Sequence, residues 1–255
     1  LGLTAQSTGI YAFLEEMQQD PNYKADAVIA LAGNPNTGKS TVFNGLTGLN
    51  QHTGNWPGKT VVLAKGNYEH LGKKITLVDL PGTYSLLANS ADEQVARDFI
   101  CFGNPDATVV VADATCLERN LNLVLQVMEI TPRTILCLNL VDEAKRKTIR
   151  IDGNGLENLL GIPVVPTAAR DKVGLEELKN TIHEVALGKR PMNPRQTIYH
   201  QTIEEALQEL QAELEEILQG KLNSRWVALR LLDGDSSIVD EIRHYLLRSN
   251  SLTTQ

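Results

Sequence analysis

The sequence predicts an α/β protein, with a mostly parallel central sheet flanked by helices, followed by a small all-α helical domain. Three observations carry this expectation. The apolar segment Ala27–Ala32 runs directly into Gly33-Asn34-Pro35-Asn36-Thr37-Gly38-Lys39-Ser40, which fits the pattern G-x-x-x-x-G-K-[ST] at every fixed position, and Thr41–Leu46 then carries helix-like apolar spacing. Further short apolar runs at 75–78, 107–111, 135–138 and 163–166 each stop at a polar segment, as buried parallel strands do. Beyond Pro191-Met192-Asn193-Pro194 the alternation of strands and helices gives way to helical patterning alone.

The first element is a phosphate site by its chemistry. In a strand–loop–helix context the loop's backbone N–H groups wrap phosphates, and the helix N-terminus adds partial positive charge. Gly33 through Thr41 are therefore expected to line a nucleotide's phosphates, with Lys39 reaching the β- and γ-phosphates and the Ser40 hydroxyl ligating Mg²⁺.

Composition narrows the remaining classes. With 24 Lys+Arg against 31 Asp+Glu the formal charge is −7, which argues against nucleic acid as a partner. Cys101, Cys116 and Cys137 have no C-x-x-C spacing and read as reduced thiols, not as a disulfide or metal framework. No run approaches the roughly 18 apolar residues of a membrane span, and no signal-peptide layout is present, so these residues read as soluble. A start at Leu1 and a polar end at Ser251–Gln255 read as a piece of something longer.

Taken in order, residues 1–25 form an N-terminal extension. It holds an amphipathic stretch, Ile10–Met17, closed by Asp20-Pro21; a packing helix or a disordered leader is expected, without chemistry. After the phosphate loop, residues 51–60 are rich in turn formers and are expected to be a movable loop, with Trp56 exposed in it. In GTPases this segment is a switch whose threonine closes on Mg²⁺ and the γ-phosphate. Thr53 and Thr60 compete for that role; Thr60 is favoured because it adjoins the β-branched run Val61-Val62-Leu63 and lies farther from Lys39.

A strand over Lys74–Val78 then delivers Asp79-Leu80-Pro81-Gly82, a D-x-x-G element whose Asp79 is placed to hold Mg²⁺ through water and whose Gly82 N–H is placed to meet the γ-phosphate. Thr83 stands where many small GTPases carry a water-orienting glutamine. The strand over 107–111 leads to Asp113 in a loop and a helix marked by Leu117, Leu121, Val124, Leu125 and Met128. The strand over 135–138 ends in Asn139-Leu140-Val141-Asp142. An aspartate there favours guanine, because its carboxylate accepts from both N1–H and the 2-amino group. Leu140 replaces the usual lysine, keeping apolar packing but losing a charge. Finally Thr167-Ala168-Ala169-Arg170 occupies the place where backbone N–H groups meet guanine O6, and a helix runs from Gly174 through Leu187. These five elements in this order predict a Ras-like G domain of the P-loop NTPase class over residues 26–190, binding GTP and GDP.

Residues 191–255 form the helical spacer domain. Ile203, Leu207, Leu210, Leu214 and Ile217 make one helix stripe, with Glu204, Glu205, Glu209, Glu213, Glu215 and Glu216 mostly off it, and further helices are expected at 224–232 and 237–247.

With these residues in hand, the chain resembles the cytosolic amino-terminal region of the FeoB ferrous-iron transporter family over roughly residues 26–250. The phosphate loop, Gly54-Asn55-Trp56-Pro57-Gly58-Lys59-Thr60, Asp79-Leu80-Pro81-Gly82, a base motif without lysine, and Arg225–Asp235 carry the likeness, the Asn-Trp-Pro-Gly segment most specifically. The resemblance implies a slow GTPase and a helical spacer attached to a polytopic membrane region that carries Fe²⁺, on the cytoplasmic side of the bacterial inner membrane. It leaves open an oligomer of the full-length protein. It also implies that Asn36 helps bind K⁺ at the phosphates, so that Lys39, Thr60, Gly82 and Asn36 form the catalytic set. Two other readings stand beside it: a GTP-dependent binding module with incidental hydrolysis, and an RNA- or ribosome-associated GTPase, against which the acidic helical tail counts. No His, Cys or carboxylate cluster has ligand spacing, so iron enters only through the resemblance.

Overall fold

The apolar runs become strands of one sheet in the computed structural model, which describes residues 9–19, 25–48, 51–87, 90–234 and 236–252. The strands are β1 (Ala27–Gly33), β2 (Gln51–Asn55), β3 (Val62–His70), β4 (Lys73–Asp79), β5 (Ala107–Asp113), β6 (Thr134–Asn139) and β7 (Val164–Pro166). Their spatial order is β2-β3-β4-β1-β5-β6-β7, with β4, β1, β5, β6 and β7 parallel and β2 and β3 antiparallel at one side. Strand order reverses about β1, which puts the loop after β1 at the point where ligands bind in open α/β sheets. Register brings the strand ends level: Leu31 pairs with Asp79, Gly33 with Val111, and Asp113 with Asn139.

Helices α1 (Ile10–Gln19), α2 (Lys39–Thr47), α3 (Ala91–Phe102), α4 (Leu117–Ile130), α5 (Val141–Arg146), α6 (Gly153–Leu160) and α7 (Leu175–Ala186) complete this unit. On one face Ile29, Leu31, Val109, Val111, Ile135 and Cys137 bury against Val42, Phe43 and Leu46 of α2 and Leu178, Ile182 and Val185 of α7. Each large aliphatic side chain so buried contributes about 1.5–3 kcal/mol. Cys137 is part of this core, where burial pushes its thiol up to about 12 and leaves it unreactive.

Several expectations are corrected. Residues 51–55 are not loop: they form edge strand β2, paired with β3 from Gln51↔Gly66 to Asn55↔Val62. Their polar composition hid this, since an edge strand requires backbone partners more than apolar alternation. Trp56 is not exposed but 1% accessible, stacked on Phe13 of α1 at 5.4 Å between ring centroids. Asp113 ends β5 and does not lie in a loop. Helices α3, α5 and α6 carried no expectation; α3 is nonetheless capped by Ser90, whose hydroxyl accepts from the Glu93 N–H at 3.2 Å. The Asp20-Pro21 break lies outside the described residues.

After α7 the chain runs back past α6. The Arg195 N–H donates to Leu160 O at 2.8 Å, and Arg190 bonds the Glu157 carboxylate at 2.6 Å, whose other oxygen accepts from the β7 amide of Val164 at 3.1 Å. The first compact unit ends at Arg195 and the second begins at Gln196.

The second unit consists of α8 (Gln201–Leu218), α9 (Ser224–Asp233) and α10 (Ser236–Leu252). Leu207 packs with Ala228 and Leu229, joined by Leu210, Leu214 and Tyr199. Ile203 and Ile217 of the expected stripe are 40% and 62% exposed, while Leu218 is buried, so the apolar face turns as the helix proceeds. Arg225 of α9 grips Glu204 of α8 through two hydrogen bonds of 2.9 and 2.7 Å, and Glu204 also accepts from the Tyr199 N–H at 2.8 Å. Among the described residues no helix is long and apolar enough to cross a membrane.

The Arg225 bonds hold the Glu204 carboxyl at about 2, below its ordinary 4.5. The stabilisation is fully present above the ordinary value and is lost as pH falls through the lowered one. The helical unit should therefore lose stability between about pH 4.5 and 2, and Arg225→Ala should flatten that slope. Urea midpoints read from Trp226 emission in a Trp56→Phe background measure both.

Candidate nucleotide site

The site begins where β1 ends. An added Cβ on Gly33 would lie 2.7 Å from Val111 O, so only glycine lets the loop leave the sheet beside β5. The Thr37 hydroxyl donates to Asn34 O at 2.9 Å, closing the loop on itself. Asn36 at φ 66° and Gly38 at φ 79° take left-handed conformations, which asparagine and glycine tolerate best. A Cβ on Gly38 would meet Asn139 Nδ2 at 2.4 Å. Helix α2 then starts without a side-chain cap, leaving its first amides directed at the loop's concavity. Ser40 and Thr41 sit exposed on its first turn.

Lys39 is engaged beside the loop. Its ammonium donates to the Asp79 carboxylate and to Leu80 O, the latter at 2.6 Å. Burial pushes the Asp79 carboxyl above its ordinary value, and the Lys39 charge opposes that. The pair therefore holds a cation and an oxygen ligand next to the phosphate loop. Gly82 follows against the same loop: a Cβ there would lie 3.4 Å from the Pro35 Cα, and the Thr83 N–H donates to Gly33 O at 3.1 Å. The Thr83 hydroxyl is spent locally, donating to Ser85 O at 2.6 Å and accepting from the Ser85 N–H at 3.2 Å.

Asn139, 1% exposed, ties the two halves of the site together. Its Nδ2 donates to Thr37 O at 2.9 Å, while its Oδ1 accepts from the Thr167 hydroxyl at 3.2 Å and the Ala169 N–H at 3.1 Å. Thr167, Ala168 and Ala169 are all buried behind it. Leu140 takes φ 64° at the start of α5, turning the chain so that the helix rises from the sheet edge.

A cavity of about 370 Å³ opens at this junction. Its walls are Asn36, Gly38, Thr41, Asn139 and Leu140, with Asp113, Thr115, Glu143, Lys147 and Arg170. Sequence reasoning missed Asp113 and Thr115 as wall residues. They reach the wall through strand order, since Asp113 pairs with Asn139 at the level sheet edge and accepts from the Thr115 N–H at 2.7 Å. Glu143 and Lys147 belong to α5 and its end, a helix too short to leave a period in the sequence. A second cavity of about 500 Å³, lined by Leu138, Val141, Ala144, Ile149, Arg150 and Pro166 among others, lies across α5 and includes no phosphate-loop residue.

Most expected site residues, Lys39, Ser40, Asp79, Gly82 and Thr167–Ala169 among them, are not on the first cavity's wall, and Asp142 and Thr60 stand apart from it as well. Asp142 lies on α5 with its carboxylate bonded by Arg146 at 3.3 Å. Thr60 is exposed in a turn closed by Trp56 N–H to Val61 O at 2.7 Å, and the adjoining Lys59 reaches Gln94 at 2.9 Å and Asp98 at 3.8 Å on α3. Because Ala64 pairs with Asp79, Thr60 still lies beyond the carboxyl end of β4, at the same sheet edge as the phosphate loop. Thr53, its competitor, is committed to β2 opposite Ala64. Among the described residues no three His, Cys, Asp or Glu groups are disposed to hold a metal ion.

Comparison with known proteins agrees with this geometry. Residues 27–182 match the family model of ferrous iron transport protein B, and residues 199–254 match that of the FeoB cytosolic helical domain. The chain is 45% identical over 216 residues to the Fe(2+) transporter FeoB of Methanocaldococcus jannaschii, covering 85% of this chain and 32% of that one. It is 40% identical over 215 residues to the Fe(2+) transporter FeoB of Salmonella typhimurium, covering 81% of this chain and 27% of that one. It thus spans a third or less of the length of these relatives. The cytosolic domain of the T. maritima FeoB iron transporter in its GMPPNP form superposes with a TM-score of 0.77 at 38% identity, covering 86% of each chain. With both family models matched in order along it, the chain belongs to the ferrous iron transport protein B family, as a GTP-binding GTPase domain of the G-domain fold followed by that family's cytosolic helical domain.

Proposed function

We propose that this chain binds GTP and GDP, hydrolyses GTP slowly, and through its nucleotide state regulates ferrous-iron passage in an attached membrane transporter region from the cytoplasmic side of the bacterial inner membrane. The observation that supports it most is the Asn139 carboxamide, which joins the phosphate loop at Thr37 to the 167–169 loop and so makes one site of a phosphate cradle and a base wall. In this reading residues 1–25 are an extension, 26–190 the G domain and 191–255 the spacer. The net charge of −7 speaks against nucleic acid as a partner.

The residues divide the work as follows. Gly33 through Thr41 hold the phosphates through backbone amides, and Lys39 exchanges its bond with Asp79 for the β- and γ-phosphate oxygens. Ser40, Asp79 and Thr60 offer only oxygen ligands, a set that suits Mg²⁺, and Mg²⁺ held there supplies charge neutralisation at those phosphates. The Gly82 N–H steadies the γ-phosphate. Asn139 and the 167–169 amides frame the base, and Asp142 reads its N1–H and 2-amino group once it turns from Arg146. Asn36, exposed on the loop's left-handed turn, presents a carboxamide suited to K⁺, which supplies positive charge at the phosphates. With the Thr83 hydroxyl bonded to Ser85, no side chain at that position orients the attacking water, which accounts for slow turnover.

Steady-state GTP turnover is expected to be higher in K⁺ than in Na⁺, absent with ATP, and to lose the K⁺ response in Asn36→Ala. Equal turnover in both salts would remove the K⁺ role, and tight GTP binding without turnover would make the chain a GTP-dependent binding module. Asp142→Asn replaces an acceptor with a donor facing guanine's own donors. It should weaken GTP binding about a hundredfold and favour xanthosine triphosphate, whose 2-oxo group accepts, as titration with fluorescent analogues of both would measure.

A further inference from the structure

Helix α1 lies outside both family matches, which begin at residue 27 and resume at 199. Yet it is not a loose appendage. Phe13 is fully buried, stacked on Trp56 with 20° between the ring planes and set edge-on to Phe99 of α3 at 5.9 Å. The Lys65 ammonium of β3 lies over the Phe13 ring at 4.9 Å, and the Gly9 N–H donates to Pro57 O at 2.9 Å. One helix thus grips by ring and by backbone the turn that carries Thr60.

The grip has an internal cost. The Trp56 indole N–H is buried with no hydrogen-bond partner among the described residues. A buried donor without an acceptor is paid for by the packing around it, and movement of the indole to water would satisfy it. The stacked indole thus forgoes a hydrogen bond that a solvated one would make.

We propose that α1 is a latch in cis on the switch turn: it holds the turn against α3 through Phe13 and Trp56, and closure of Thr60 on a nucleoside triphosphate requires Trp56 to leave Phe13. The proposal rests on the reading of Thr60 given above. Helix docking then opposes triphosphate binding, and by reciprocity triphosphate opposes docking, so a variant that undocks α1 raises the preference for triphosphate over diphosphate.

The test uses this whole chain in a Trp226→Phe background, which leaves Trp56 as its one tryptophan of the original 2. With GDP, Trp56 emission should be blue and shielded from acrylamide; with a non-hydrolysable GTP analogue it should shift red and become quenchable. Phe13→Leu, which keeps apolar bulk but loses stacking, and Phe13→Ala should each raise the ratio of analogue to GDP affinity, the latter about tenfold, while Thr60→Ala lowers it. Trp56 shielding that ignores the nucleotide overturns the latch. So does a ratio that Thr60→Ala lowers but neither Phe13 variant raises, and in that case the Thr60 reading survives. A ratio unmoved by Thr60→Ala overturns the Thr60 reading and the latch with it. Thermal melts of Phe13→Leu check that the helix loss is not global unfolding.

Discussion

Much of the site depends on one buried carboxamide. Asn139 uses one amide N–H to reach Thr37 O and its carbonyl oxygen to accept from the Thr167 hydroxyl and the Ala169 amide, so that β6 is joined to two other chain segments. Removing such a group leaves several buried polar atoms unpaired, at about 1–3 kcal/mol each. The close approach of Gly38 follows from the same bond, because the Asn139 side chain fills the space where any Cβ at that position would stand. The conformation of the 33–40 loop, the start of α2 and the placement of the 167–169 loop are thus one constraint seen from three sides. Neither the phosphate loop nor the 167–169 loop needs to be rigid on its own.

The chemistry around Lys39 balances in a related way. Its ammonium is shared between the Asp79 carboxylate and a backbone carbonyl, while burial works against the charged form of that carboxylate. A charge that drew Lys39 away would leave the Asp79 carboxylate without the cation that offsets its burial.

The five parallel strands and the phosphate loop were legible in the sequence because each has a strong local signature. Ala27–Gly33, 107–111 and 135–138 are apolar runs without interruption, and the glycine and lysine spacing at 33–40 leaves few alternatives. What was hidden is what depends on partners. β2 is a strand only because β3 lies beside it. Trp56 looked exposed because Phe13, forty-three positions earlier, gives no sign of being its neighbour. Asp113 and Thr115 line the cavity through strand order, which no single stretch of sequence encodes. α5 and α6, at 6 and 8 residues, are too short to show a helical period.

The route by which the chain leaves its first unit sets how that unit answers to force. A pull at Gln196 is met at once by the Arg195 amide on Leu160 and by Arg190 on Glu157, and Glu157 hands the load to the Val164 amide of β7. β7 is the outermost strand on its side and has 3 residues, and the next residue after it is Thr167, a partner of Asn139. Tension on the outgoing chain would thereby reach the short edge strand β7 and the adjoining 167–169 loop directly.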